Sequence, residues 1–168
     1  MINEKTQELL NSQINKELYS AYLYLAFANW YVDNGLDGFA NWFNIQAMEE
    51  RDHAMLFLQY MQNNGLKVTL EAIDKPGQEL DNSKDILNEV LKHEQYVTES
   101  IHNIYDEALK NKDYRTTQFL DWFVKEQGEE EKNAEDLIKR WELFGEDSKS
   151  LYMLDNELAQ RVHTAPDL

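Results

Sequence analysis

The 168-residue chain has no cysteine, two prolines, six glycines and half as many basic as acidic residues, 16 Lys+Arg against 32 Asp+Glu. The missing cysteine excludes disulfides, thiolate metal sites and a cysteine nucleophile. Few glycines and prolines argue against a sheet protein full of turns and for long helices. The net charge of −16 repels phosphate, so nucleic acid and anionic membrane are poor partners and cations are favoured ones. Long apolar runs are also lacking. The uncharged stretch 18–32 is short and contains Tyr, Asn, Ser and Trp, too mixed to span a bilayer. The first residues, MINEKTQELLNSQINKE, are polar and resemble neither a signal peptide nor an anchor, so the expected location is cytoplasmic.

What is present is helical periodicity. Four long patterns are expected, near residues 3–33, 37–64, 82–110 and 114–144, with a shorter fifth at 148–160. Apolar residues recur at spacings of three and four: Leu10, Ile14, Leu18, Ala21, Leu25 and Ala28 in the first; Ala40, Phe43, Ala47, Ala54, Phe57, Leu58 and Met61 in the second. The third carries Leu87, Val90, Leu91, Val97, Ile101, Ile104 and Leu109, the fourth Phe119, Leu120, Phe123, Ala134, Leu137 and Trp141. Leu151, Leu154 and Leu158 line one side of the fifth. Gly35, Gly65 and Gly145 are expected stops, and Asn82 or Ser83 an N-cap.

Short turns make antiparallel hairpins of helices one and two and of helices three and four. The connection 66–82, broken by Pro76-Gly77, can reach roughly 50 Å, enough to travel a long helix of about 42 Å. The expected fold is all-α: one domain over residues 1–168, an antiparallel four-helix bundle with a long crossover between helices two and three, and a short C-terminal helix.

Acidic residues interrupt these stripes. Glu17 sits between Ile14 and Ala21, Glu50 between Ala47 and Ala54 with His53 three residues on, Glu94 among Val90, Leu91, Val97 and Ile101, and Glu130 between Phe123 and Ala134 with Gln127 three residues before. Their heights agree. With the first turn near residue 35, Glu17 lies 18 before it and Glu50 and His53 lie 15 and 18 after; with the second near 112, Glu94 lies 18 before and Gln127 and Glu130 lie 15 and 18 after. Six side chains converge on one level if the crossover aligns the hairpins. Buried carboxylates repel one another and lose hydration, at several kcal/mol each if unpaired. Lys16, Arg51, Lys92 and Lys125 adjoin the set in sequence but fall off the inner faces. A bound cation is the simplest compensation, and carboxylates with one imidazole suit iron, manganese or zinc. A single Glu-x-x-His is most often a solvated surface pair; the agreement of four helices carries the reading. His93 and His102 do not line up with the set and read as ordinary core or surface histidines, and His163 as a tail residue.

The stretches NKELYSAYLY from Asn15, EERDHA from Glu49, EQY from Glu94 and DWFVKEQGEEEK from Asp121 resemble the bacterial non-haem ferritins, over nearly the whole chain. That resemblance implies a ferroxidase centre. Glu17, Glu50 and His53 match the ligands of one iron. Glu50 would bridge to a second iron held also by Glu94 and Glu130, with Gln127 beside the pair. Tyr24 matches a tyrosine near the centre, a candidate one-electron donor. Glu49, Glu126 and Glu129 match acids of a third iron site, Glu130 lying between the second and third. Trp122 is a neighbouring aromatic for which packing and a redox role weigh equally. The implied activity is oxidation of Fe(II) by oxygen or peroxide, followed by storage as ferric mineral in a shell of 24 subunits.

Other branches fit less well. Gln127-x-x-Glu130 stands where bacterioferritin has Glu-x-x-His, and Arg51 where it has a haem-ligating methionine, so no haem is expected. Rubrerythrin needs cysteine, and the small starvation-type ferritins lack a fifth helix. The stretch Thr116-Thr117-Gln118-Phe119-Leu120 lacks the acids that line the iron channel of animal ferritins. A passive metal-binding shell with little catalysis, and a metal-free scaffold bundle, remain as alternative readings.

Overall fold

The computed structural model describes residues 2–76 and 81–167. It contains α1 (Glu4–Asp33), α2 (Asp37–Asn63), α3 (Ser83–Lys110), α4 (Tyr114–Phe144) and α5 (Ser148–Leu158), with no strand among the described residues. Side-chain oxygens cap four of the five N-termini. Asn3 accepts from the Thr6 N–H, Asn82 from Asp85, Asp113 from Thr116 and Asp147 from Ser150. Helix α2 has no cap of its own at Leu36. Its Phe39 N–H instead donates to Asp155 Oδ1 of α5 at 2.9 Å, so the short helix satisfies an orphan donor of a long one. The approach is close. A Cβ on Gly38 would lie 1.7 Å from the Asp155 carbonyl oxygen, so only glycine fits there.

Three helices end alike. The Leu36 N–H bonds the Tyr31 carbonyl, Leu66 that of Met61 and Asp113 that of Ala108, each at 2.9 Å, with Gly35, Gly65 and Lys112 at positive φ. This is the left-handed C-terminal motif that favours glycine. The expected stops at Gly35 and Gly65 hold. In the third turn a lysine, with φ 57°, occupies the glycine position.

Helices α1 and α2 pack as one hairpin and α3 and α4 as another, with α1 against α3 and α5 against α2 and α4. The crossover starts beside the N-terminal part of α1. Asn11 exchanges two hydrogen bonds with the Thr69 backbone, at 3.0 and 2.8 Å, and Asn15 Nδ2 reaches the Ala72 carbonyl at 3.0 Å. Helix α3 begins at the far end of α1, where Tyr31 Oη and Ser83 Oγ are 2.6 Å apart. The described ends of the connection therefore lie at opposite ends of α1, and α3 runs antiparallel to α1. Gly77 of the expected breaker pair lies outside the described residues.

The interior forms two apolar clusters. One holds Tyr24, Phe27, Tyr31, Phe39 and Phe43 with Leu154 and Leu158 of α5; Tyr31 stacks on Phe39 and Phe43 at 4.9 and 5.4 Å. The other holds Leu10, Ile14, Phe57, Met61, Ile101 and Phe123, with Phe57 and Phe123 centred 4.3 Å apart. Between them lies a polar layer. Not every residue of the expected stripes faces inward: Leu25 and Leu109 are about half exposed, and Tyr24 and Leu23 take the buried face near Leu25. The true inner face of α1 runs through Leu10, Gln13, Ile14, Glu17, Ser20, Tyr24, Phe27 and Tyr31, a row with polar members that hydrophobic pattern alone under-reads.

Candidate metal centre

The polar layer is the level at which the six inward residues were expected. Glu17, Glu50, His53, Glu94, Gln127 and Glu130 are all at most 4% exposed. Each helix delivers its member by the i, i+3, i+4 geometry that puts it in line with core residues one turn away. Ligand atoms of Glu17, Glu50 and His53 lie within 4.8 Å of one another, as do those of His53, Glu126 and Glu130. His53 Nδ1 is 3.5 Å from Glu50 Oε2, beyond a well-formed hydrogen bond. Glu94 stands on the opposite hairpin and is hydrogen-bonded by the Tyr24 hydroxyl and by Gln127 Nε2 at 3.2 Å.

The electrostatics are those of acids gathered around one imidazole, His53. Burial first, and then the charge of Glu50, push the Glu17 and Glu94 carboxyls up to about 8. Burial followed by repulsion from Glu94 pushes Glu130 to about 8. Burial and then Glu130 hold Glu50 well above the ordinary carboxylate range. Among the described residues no Lys or Arg pairs with any of these four. Lys92 goes to Glu89 and Lys125 to Glu129, Arg51 to Asp52 and Lys16 to Ser100. Two ligand-type atoms, Glu17 Oε2 and His53 Nδ1, are buried with no hydrogen-bond partner. Orphaned buried acceptors are rare in folded proteins. A hard cation accepting carboxylate and imidazole donors satisfies both, so this donor set fits iron.

The sequence agrees with this chemistry. A family model described as a ferritin-like domain matches residues 7–144, most of the chain. The chain belongs to the ferritin-like family. It is 39% identical over 161 residues to a bacterial non-heme ferritin of Staphylococcus saprophyticus, covering 96% of both chains. With that of Campylobacter jejuni it shares 37% over 155 residues, covering 92% of this chain and 93% of the relative. Its fold superposes on an engineered closed form of the Archaeoglobus fulgidus ferritin with a TM-score of 0.94, at 43% identity, over 98% of this chain and all of that one.

Within this ferritin-like bundle the acids expected beyond the central set separate. Glu126, half-buried, joins His53 and Glu130. Glu49 does not join either group: its carboxylate is bonded at 2.5 Å by Arg161 from the tail after α5. Glu129 is exposed and paired with Lys125 at 3.3 Å. Trp122 packs its ring edge-on to His53, centroids 5.5 Å apart. His93, expected to be bland, is a buried core histidine: its Nε2 and Ser20 Oγ are 2.7 Å apart, and burial pushes it down to about 4, so it is neutral near pH 7.

Several polar partners of the site were not singled out from sequence. Gln13 Nε2 donates to Glu17 Oε1 at 2.8 Å. Gln46 Nε2 donates both to Glu50 Oε1 at 3.2 Å and to Glu130 Oε2 at 2.7 Å, and both glutamines are at most 1% exposed. The signal was available: each lies four residues before an inward glutamate, on the same helix face. Arg161 gives no such sign, since its place depends on how the tail folds back.

Proposed function

We propose that this chain stores iron and oxidises it: Fe(II) is bound at Glu17, Glu50, His53, Glu94 and Glu130, with Gln127 and Tyr24 beside them, and converted to Fe(III). The observation that carries this reading is the buried layer of four glutamates and a histidine, with unpartnered ligand atoms on Glu17 and His53 and, among the described residues, no Lys or Arg paired with the glutamates. Glu17, Glu50 and His53, whose ligand atoms cluster, would hold one cation, and Glu94 and Glu130 would hold a second beside Glu50. Hard oxygen donors stabilise Fe(III) over Fe(II) and so favour oxidation. Two Fe(II) ions supply the two electrons that reduce O2, with two protons, to H2O2, or that reduce peroxide to water. The raised carboxyl groups release protons as cations bind.

Tyr24, whose hydroxyl donates to Glu94, would supply one electron, and Fe(II) at a third site another, where O2 is taken by four electrons and four protons to water. Glu126, together with Glu49 and Glu129 once these leave Arg161 and Lys125, would take a third cation. Ferric iron hydrolyses to mineral, which one 168-residue chain cannot enclose. Storage therefore requires a closed shell, for which 24 subunits is the expected number. The exposed apolar strip of Tyr22, Leu25, Met48 and Ile73 is a surface such an assembly would cover.

The test mixes iron-free protein with Fe(II) in air. Rapid oxidation above the protein-free rate, with ferric iron retained in a particle of about 24 chains, is expected. Glu50→Ala with His53→Ala should fall to the protein-free rate while the particle persists. Unchanged oxidation in that double variant would assign the activity elsewhere, and wild-type oxidation at the protein-free rate would leave the passive shell as the better reading.

A further inference from the structure

The tail after α5 returns along α2. Asn41 Nδ2 holds the carbonyls of Leu158 at 3.2 Å and Arg161 at 3.1 Å, and His163 Nε2 lies 2.8 Å from Asp52 Oδ2. Between these anchors the Arg161 guanidinium sits over the Trp42 ring, 4.5 Å from its centroid. It donates to the Trp42 carbonyl at 3.2 Å, to Gln46 Oε1 at 3.0 Å and to Glu49 Oε2 at 2.5 Å. One fork therefore makes three hydrogen bonds against the face of α2 one layer behind the metal centre.

The bond to Gln46 has a consequence for that centre. A guanidinium carries donors only, so it can meet only the oxygen of the Gln46 amide. The NH2 group is then compelled to face the other way, where its two hydrogens reach Glu50 and Glu130. With the amide reversed, its NH2 would confront the guanidinium, two donors face to face, and Glu50 and Glu130 would lose the donor they share. Glu50 and Glu130 belong to different hairpins, and Gln46 is the side chain that donates to both.

We propose that Arg161 is a positioning residue for the metal centre: by fixing the Gln46 amide it holds Glu50 and Glu130 in the arrangement that binds the cation pair. This rests on the metal-binding reading above. Hydrogen-bond partners that orient ligands typically contribute tenfold to a hundredfold in metal affinity, and Arg161 acts at one further remove, through Gln46.

Co(II), added to the assembled protein without air oxidation, reports both affinity and ligand geometry through its visible d–d absorption. Wild type should bind Co(II) with bands that Glu50→Ala abolishes. Arg161→Gln should weaken binding by roughly tenfold and shift the bands, with unchanged helical circular dichroism and particle size. Gln46→Ala should do the same, and the double variant should be no worse than Gln46→Ala alone, because one residue works through the other. The loss caused by Arg161→Gln should persist in a Glu49→Gln background. If Arg161→Gln does not assemble, Arg161→Lys, which keeps the charge but not the fork, is read by the same criteria.

Arg161→Gln titrating like wild type would overturn the proposal. So would losses from Arg161 and Gln46 variants that multiply, or an Arg161 effect that vanishes in the Glu49→Gln background. Wild type lacking any Glu50-dependent Co(II) signal would instead overturn the metal-binding reading itself.

Discussion

A carboxyl group that burial pushes up to about 8 is costly to keep ionised without a cation beside it. The sign follows from linkage. Glu17, Glu94 and Glu130 are pushed up to about 8 from 4.5, so the folded metal-free protein holds protons that the unfolded chain releases above about 4.5. That contribution to stability is fully present below 4.5 and is lost as pH rises through 8. Glu17→Gln removes one such group, so its stability relative to wild type should rise between pH 5 and pH 8 without metal, read as the difference in urea midpoints. A difference independent of pH would show that Glu17 does not titrate as its surroundings dictate.

The inward glutamates were legible from sequence because an acid in an apolar stripe is an anomaly, and four at matching heights are a pattern. Gln13 and Gln46 were less so, since glutamine is common on every helix face and only its partners reveal it. The pairing of Glu49 with Arg161 was not legible, because it depends on the fold of the tail.

Helix ends show the same division. Gly35 and Gly65 announce their turns because glycine is what a left-handed position favours. A turn was expected near residue 112, but nothing in the residue type of Lys112 disclosed a φ of 57°. Lys112→Gly should therefore stabilise the protein by up to about 1 kcal/mol, the cost of a left-handed non-glycine residue less the entropy of glycine in the unfolded chain; thermal or urea unfolding measures it. Unchanged or lowered stability would show that the lysine is not strained.

Helix α5 carries a contrasting case. Because Gly38 lies against the Asp155 backbone and Asp155 caps α2, Gly38→Ala should displace α5 and lower the melting temperature, although alanine is ordinarily the better helix former. Greater protection of the α5 amides from hydrogen exchange in the variant would contradict that packing. The sequence stripe of Leu151, Leu154 and Leu158 disclosed an apolar side to α5 but not its docking partner. Leu154 and Leu158 in fact join the cluster around Tyr31 and Phe39, and Leu151 packs beside them.

Across the whole molecule, architecture was the most legible feature. Two short turns and one long connection leave few ways to arrange four helices, and the hydrogen bonds of Asn11 and Asn15 to the crossover show the path that residue spacing permits. Where reading failed, it failed by face: Leu25 and Leu109 were expected inside and lie at the surface. The layer between the two apolar clusters cannot be filled with hydrophobic residues if it is to bind a cation, so polar side chains take the inner row.

The net charge of −16 fits the same reading, as a field that draws cations toward the protein. Iron-edge anomalous diffraction from crystals of the assembled protein soaked in Fe(II) tests this most directly. Two adjacent peaks among Glu17, Glu50, His53, Glu94 and Glu130 are predicted; iron confined to surface acids, with that buried layer empty, would contradict it.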